Sequence, residues 1–286
     1  GCAQKLDVSD LEPFIRVHCP TCNTELIIPK PFGNFLLEQI IGSEEMATVF
    51  RAIDLTLDRE VAVKLLNSKY ARMEDAAETF INEARVSSAI NHPNIIPIYT
   101  CGSVGDEPYL VMQFMTGVSL RRKIQTKSEP PSTTQIVRWM RDTVSGLDAA
   151  FHMGIHHRNV RPSNILLDVD GHLKVGDFGL AQVVFGTKNL TPDQVSRQAV
   201  LMKNHHYVSP EKVSKCTEDV KGDFFSLGAT FYHIFAGHAP FRGDTPEEII
   251  NARFDAAVVP PVDYRAEIPR EISDLLMALL SRDPGD

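Results

Sequence analysis

Along the chain, the rhythm of hydrophobic and polar positions changes from strand-like to helical. Phe35–Ile41, Thr48–Ile53 and Glu60–Leu66 are β-rich runs separated by turn-like residues, and they predict three strands. A helix follows, because Ala77, Phe80, Ile81, Ala84 and Ser88 fall at helical spacing, and His92-Pro93-Asn94 stops it. Ile95–Tyr99 and Tyr109–Phe114 predict two more strands. Beyond about Ser119 the period is mainly helical, over 132–153, 223–236, 246–254 and 270–281. A strand-rich first part joined near 113–118 to a helix-rich second part predicts an α+β fold of two lobes with a cleft between them.

Residues 1–30 stand apart. They mix polar and apolar positions, contain Cys19-Pro20-Thr21-Cys22, and run into Pro29-Lys30-Pro31, which reads as a stiff linker. The expected organisation is therefore a short segment and linker over 1–30 and one large domain over 31–286, with lobes of about 35–115 and 116–286. At 286 residues, 43% hydrophobic and 23% charged, the composition is that of an ordinary globular protein. A net charge of -8 argues against a nucleic-acid partner, since phosphate backbones reward clustered Lys and Arg. No apolar run reaches the length of a membrane span, and the five cysteines do not form a dense disulfide framework. A reducing, cytoplasmic setting is expected.

Several motifs lie in order along the large domain: Val61-Ala62-Val63-Lys64, Glu83 about one helix later, His157-Arg158-Asn159-Val160-Arg161-Pro162-Ser163-Asn164, and Asp177-Phe178-Gly179 followed by Leu180-Ala181. Ser209-Pro210-Glu211, Asp223–Gly228 and Gly237–Phe241 follow. Together they resemble the signature set of eukaryotic-type serine/threonine protein kinases, as bacteria also carry them, over roughly residues 35–286. The resemblance implies the two-lobed protein-kinase fold, with a small β-rich N-lobe and a larger helical C-lobe. It implies ATP and Mg as cofactors, with Lys64 on the phosphates and Glu83 orienting it. Gly42, Val49, Ala62, Met112, Met115 and Leu166 would line the nucleotide site, and Asn164 and Asp177 would hold magnesium.

Against that family pattern three departures stand out. Asn159 occupies the place of the catalytic aspartate, and an amide takes up no proton near neutral pH. General-base help is worth about 10²–10⁴ in rate. The alternative is a tolerated variant with residual turnover. Second, Gly42-Ser43-Glu44-Glu45-Met46-Ala47-Thr48-Val49 keeps one of the three glycines of the phosphate-covering loop. Glu44 and Glu45 either bring negative charge toward an anion or point into water. Third, Lys203-Asn204-His205-His206-Tyr207 puts Asn204 where the family has the threonine that bonds the catalytic aspartate. Arg161 replaces a lysine and keeps the charge near the γ-phosphate with a different reach.

Three readings follow: a pseudokinase that keeps nucleotide binding open and acts as a regulatory or interaction module, a weakly active serine/threonine kinase, or a structural scaffold. No protein substrate or partner is identified. Cys2, Cys19 and Cys22 match three positions of a zinc ribbon, since sixteen residues separate Cys2 from Cys19. A fourth cysteine would precede residue 1, and without it the segment is expected to be disordered or loosely docked. Reduced thiols without zinc are the other reading. At the far end, Asp283-Pro284-Gly285-Asp286 is expected to continue to an arginine that pairs with Glu211. Thr187, Thr191 and Ser196 are hydroxyls in the activation segment, open either to phosphorylation or to an ordinary loop role.

Overall fold

The computed structural model describes residues 2, 4–8, 10–126, 131–178, 191–201, 203–215 and 220–283. Gly1, Gly179, Leu180, Ala181, Thr187, Cys216 and Pro284–Asp286 lie outside the described residues. Two compact units form, one of Gly1–Ile81 with Ile98–Phe114 and the other of Asn82–Pro97 with Met115–Asp286.

The first unit opens with a small hairpin of β1 (Arg16–His18) and β2 (Glu25–Ile27). Its main body is a six-stranded antiparallel sheet of β3 (Lys30–Phe32), β4 (Phe35–Ser43), β5 (Ala47–Asp54), β6 (Arg59–Leu66), β7 (Ile98–Val104) and β8 (Glu107–Gln113). Their spatial order is β3-β4-β5-β6-β8-β7. Alternation along the strands sends Phe35, Leu37, Phe50, Ala52, Val61, Val63, Leu65 and Val111 into one core with Phe32. Phe14 stacks on Phe50 of this core at 5.4 Å between ring centroids, so the opening segment docks onto the sheet there.

Two expectations change here. Pro29-Lys30-Pro31 is not a linker: Lys30–Phe32 pairs with β4, Pro31 opposite Leu36. The proline is tolerated because β3 is an edge strand, and Phe32 anchors it by burial. The strand expected at Ile95 begins instead at Ile98. Ile95 bridges Val175 in the second unit, and Ile96 donates to the Val175 carbonyl at 2.9 Å.

After β6 come α1 (Ser68–Ala71) and α2 (Glu74–Ser88). In the second unit lie α3 (Leu120–Gln125), α4 (Thr133–Phe151), a 3₁₀ turn (Pro162–Asn164), and the hairpin β9 (Ile165–Leu167) and β10 (Leu173–Val175). The chain continues through α5 (Pro192–Leu201), α6 (Pro210–Lys215), α7 (Val220–Ala236), α8 (Pro246–Asp255), α9 (Pro261–Tyr264) and α10 (Arg270–Leu279). From Phe225 to Tyr232 helix α7 is buried on all sides, which its apolar sequence allows, and Phe231 and Phe235 join Trp139, Ile136 and Leu276 in the main core. Helix α10 packs closely on it, since a Cβ at Gly228 would lie 2.7 Å from the Leu279 Cβ.

Helix α5 was not expected from the sequence. Its start is a reciprocal cap: the Thr191 hydroxyl accepts from the Gln194 N–H, and the Thr191 N–H donates to Gln194 Oε1. No helix among the described residues is long and apolar enough to cross a membrane.

Candidate active site

In the second unit the site is organised by one buried carboxylate. Asp223, in the first turn of α7, accepts the N–H groups of His157 and Arg158, each at 2.7 Å. Arg158 holds a left-handed backbone (φ 63°), which costs about 1–3 kcal/mol for such a residue. The two charge-assisted bonds offset that cost. Burial pushes the Asp223 carboxyl upward, and those N–H groups work against the shift.

His157 locks the other side of the turn. Its Nδ1 accepts from the Asn159 N–H (3.2 Å), which leaves Nε2 to donate to the Gly176 carbonyl (2.9 Å). Burial lowers its pKa, so the ring stays neutral. Phe178 packs against the ring at 4.5 Å and enters the main core. Asp177, beside it, also has a left-handed backbone (φ 65°), a conformation its short polar side chain tolerates.

Asn159 is almost fully buried, with 2% of its surface exposed. Its carbonyl accepts from Asn164 Nδ2 (2.9 Å), and its side-chain Oδ1 accepts from Asn204 Nδ2 (3.1 Å). The sequence departures at Asn159 and Asn204 are therefore one contact, amide to amide. Asn204 Oδ1 is buried with no hydrogen-bond partner among the described residues, a cost a threonine there would not carry. Asn164 Nδ2 meets a carbonyl, and its Oδ1 accepts only a long bond from the Ser163 hydroxyl (3.5 Å); an amide oxygen and the Asp177 carboxylate are the hard oxygen donors that suit magnesium. Arg161 is buried, and its Nη1 lies 3.5 Å from the Lys203 carbonyl.

Gly117 precedes the Val118 carbonyl that accepts from Leu167. A Cβ there would fall 2.2 Å from the Leu167 carbonyl oxygen, so only glycine fits. This close approach seats β9, on which Leu166 is half-buried. Met115 is buried in the same unit, and Glu83 is half-buried on α2.

In the first unit the sheet register gathers the remaining expected residues. Gly42 pairs with Val49, Val49 with Lys64, and Lys64 with Leu110, while Ala62 pairs with Met112. Direct partners and residues two apart share a face, so Gly42, Val49, Ala62, Lys64 and Met112 lie on the face opposite the Phe50–Val63 core. Lys64 is 8% exposed.

The tip of the β4–β5 turn is tied to the segment after β6. Asn67 Nδ2 donates to the carbonyls of Glu44 (3.0 Å) and Glu45 (2.8 Å), and its Oδ1 accepts from the Thr48 hydroxyl (3.0 Å). The Glu45 carboxylate accepts from Lys69 Nζ and from the Tyr70 hydroxyl, both at 3.3 Å. Neither sequence alternative for Glu45 included this: it is held by α1. Asn67 was missed because its role is purely tertiary.

Two other groups bear on expected pairs. Arg253 is fully buried, donates to the carbonyls of His205, Ile249 and Ile250, and has its charge supported by Glu211, against a pKa lowered chiefly by burial. It supplies Glu211 with a cation from α8. The three thiols Cys2, Cys19 and Cys22 converge with all sulfurs within 4.8 Å, and Cys2 Sγ lies 3.6 Å from Cys19 Sγ. Sulfurs in a tetrahedral zinc site with bonds of about 2.3 Å sit roughly 3.8 Å apart, so the trio fits zinc. The β1–β2 turn brings Cys19 and Cys22 together, with the Cys19 N–H on the Thr24 carbonyl and Asn23 at φ 55°.

Comparisons with known proteins agree with this geometry. The protein kinase domain family model matches residues 35–286. The serine/threonine-protein kinase PknL of Mycobacterium tuberculosis is 32% identical over 254 residues, covering 89% of this chain and 62% of PknL. PknB of Mycolicibacterium smegmatis is 33% identical over 254 residues, 87% of this chain and 40% of that protein. PrkC of Bacillus subtilis is 30% identical over 252 residues, 88% and 38% respectively. The chain thus spans about two fifths to three fifths of the length of these relatives. The crystal structure of the Mycobacterium tuberculosis PknI kinase domain superposes with a TM-score of 0.68 at 19% identity, covering 90% of each chain, and supports the fold. With a β-rich unit, a helical unit and the ordered motifs of the catalytic loop, this chain belongs to the eukaryotic-type serine/threonine protein-kinase family.

Proposed function

We propose that the kinase domain of residues 31–286 is a pseudokinase, a nucleotide-holding interaction module whose phosphotransfer step is impaired. The observation that carries this is Asn159: buried at the base position, with its side-chain oxygen already accepting from Asn204. An amide oxygen in that state takes no proton from a substrate hydroxyl. When bound, magnesium would neutralise charge between the ATP phosphates. Lys64 would meet those phosphates, Glu83 would orient it, and Asn164 with Asp177 would hold the metal. Gly42, Val49, Ala62, Met112, Met115 and Leu166 would contact the nucleotide. Arg161 would keep a positive charge near the transferred group.

The test has two arms on the unmodified protein. Magnesium-ATP at millimolar concentration is expected to raise the melting temperature, since a ligand that binds only the folded state stabilises it. Radiolabelled phosphate transfer is expected to fall far below the roughly 1–100 per second of working kinases. Turnover in that range would overturn the reading in favour of an active kinase. The names of PknL, PknB and PrkC support that second reading, as does the left-handed Asp177 with Phe178 packed in the core.

The segment of residues 1–30 is proposed as a zinc-binding knuckle held by Cys2, Cys19 and Cys22. Metal analysis of purified protein should find zinc that Cys19→Ser removes; metal-free protein with three reactive thiols would reject it. A cytoplasmic, reducing setting is proposed on the same cysteine usage.

A further inference from the structure

The tip of the β4–β5 turn carries two acidic residues, and the fold sends them to different faces of the sheet. The ladder runs Gly42 opposite Val49 and Ser43 opposite Thr48, and the Glu44 N–H carries it one pair further by donating to the Ala47 carbonyl at 3.0 Å. Residues two apart share a face, so Glu44 and Ala47 stand with Gly42, Val49 and Lys64. Glu45 leaves that face: its carboxylate is taken by Lys69 Nζ and the Tyr70 hydroxyl, each at 3.3 Å. Thr48, opposite Leu65 of the core, turns its hydroxyl the same way, to Asn67.

Glu44 is held where it stands. Its carbonyl accepts from Asn67 Nδ2 at 3.0 Å, the residue is half-buried, and Met46 and Ala47 beside it are 7% and 4% exposed. The turn therefore sets a fixed carboxylate on the face that carries Lys64, while the Glu44 N–H is spent on Ala47 and not on an anion. In glycine-rich loops the backbone closes over the terminal phosphate. A carboxylate in that place opposes the phosphate in one of two ways: by repelling it, or by engaging a cation the phosphate would otherwise meet. Both penalties grow with the charge of the ligand.

We propose that Glu44 makes this chain select nucleoside diphosphates over triphosphates. The inference rests on the nucleotide-holding reading and adds the class of nucleotide. One further negative charge about 10 Å from a carboxylate, at an effective dielectric of about 20, corresponds to roughly ten-fold in affinity.

Calorimetric titration of the full chain with magnesium tests it, using adenosine diphosphate and a non-hydrolysable analogue of adenosine triphosphate. The diphosphate should bind about ten-fold more tightly, and the gap should narrow as salt rises, without any substitution. Glu44→Gln keeps the shape of the side chain and removes its charge; it should tighten the triphosphate and close the gap. Glu45→Gln should leave the gap in place, because its carboxylate lies on the other face. Equal affinities in the unmodified chain, a gap that survives Glu44→Gln, or one that closes equally with Glu45→Gln would overturn the assignment. Binding of neither ligand at millimolar concentration would instead remove the nucleotide-holding reading, and this one with it.

Discussion

Two regions of the chain depart from the family pattern, and they handle the departure differently. In the second unit the change is buried: Asn159 and Asn204 meet each other, and Asp223, His157 and Asn164 hold the surrounding backbone. In the first unit the change lies at a turn: Glu45 is exposed, Glu44 is half-buried, Met46 and Ala47 are buried, and Asn67, Lys69 and Tyr70 hold the turn carbonyls and the Glu45 carboxylate. A buried polar group without a partner costs about 1–3 kcal/mol: Asn204 satisfies Asn159 through its Nδ2 and carries that cost at its own Oδ1. The exposed Glu45 carboxylate meets no such cost, because water serves whatever the protein leaves of it. On the pseudokinase reading proposed above, the buried pair would be where transfer is lost, and the loop where nucleotide contact would be tuned.

The largest expected effect tests that division. Asn159→Asp restores a proton acceptor that can still take the Asn204 amide, and should raise radiolabelled phosphate transfer about 10²-fold or more above the unmodified protein. Asn159→Asp with Asn204→Thr should exceed it, since the stranded Asn204 Oδ1 disappears. If neither variant gains, the loop tip sets the limit and the division is wrong. Next in size is Asp223→Ala. It leaves the N–H groups of His157 and Arg158 buried and unsatisfied, for roughly 2–5 kcal/mol of stability in urea unfolding. A loss below about 1 kcal/mol would mean that the catalytic loop does not depend on α7.

Much of this was legible in the sequence, and for identifiable reasons. Strands such as Glu60–Leu66 and helices such as 270–281 announce themselves by period, and the motif residues by order. Pro31 misled because proline usually breaks a strand; the Phe32-Gly33-Asn34-Phe35 hairpin signal beside it outweighed that. Helix α5 carried a sign that went unused, the Thr191-Pro192-Asp193-Gln194 cap. The clamp by Asn67 and the support of Glu211 by Arg253 had no sign at all. Each joins residues far apart in the chain, 19 to 23 positions for the Asn67 clamp, and only the folded chain brings them together.

Acid should separate the two regions. His157 and His233 are both held neutral by burial, His233 with a pKa of about 4, whereas unfolded histidines titrate near 6.5. The unfolded chain then binds more protons below about pH 6.5, so stability is full above that pH and falls as pH drops toward 4. The slope is about 1.4 kcal/mol per pH unit for each proton. His233→Asn should flatten the urea-derived profile between pH 6.5 and 5 by about one proton. The loop tip has no comparable buried histidine among the described residues, and its amide exchange should track pH only through the ordinary chemical rate.

The smallest effect is the most local. Asn67→Ala removes the two bonds that hold the Glu44 and Glu45 carbonyls and the one from Thr48, each worth about 0.5–1.5 kcal/mol when partly buried. Water can replace much of this at an exposed tip, so the global loss should be only about 1 kcal/mol. Hydrogen exchange reports the change more sharply. The Glu44 N–H, which donates to the Ala47 carbonyl across the turn, should lose protection, while the Asn159 and Gly176 amides keep theirs. The Asn67 N–H remains bonded to the Met46 carbonyl in the wild-type turn, and its own protection tells whether the whole β4–β5 tip lifts or only its carbonyls are released. If the tip lifts and ATP affinity rises with it, the clamp is what restrains nucleotide contact; if affinity falls, the tied conformation is the one that meets the phosphates.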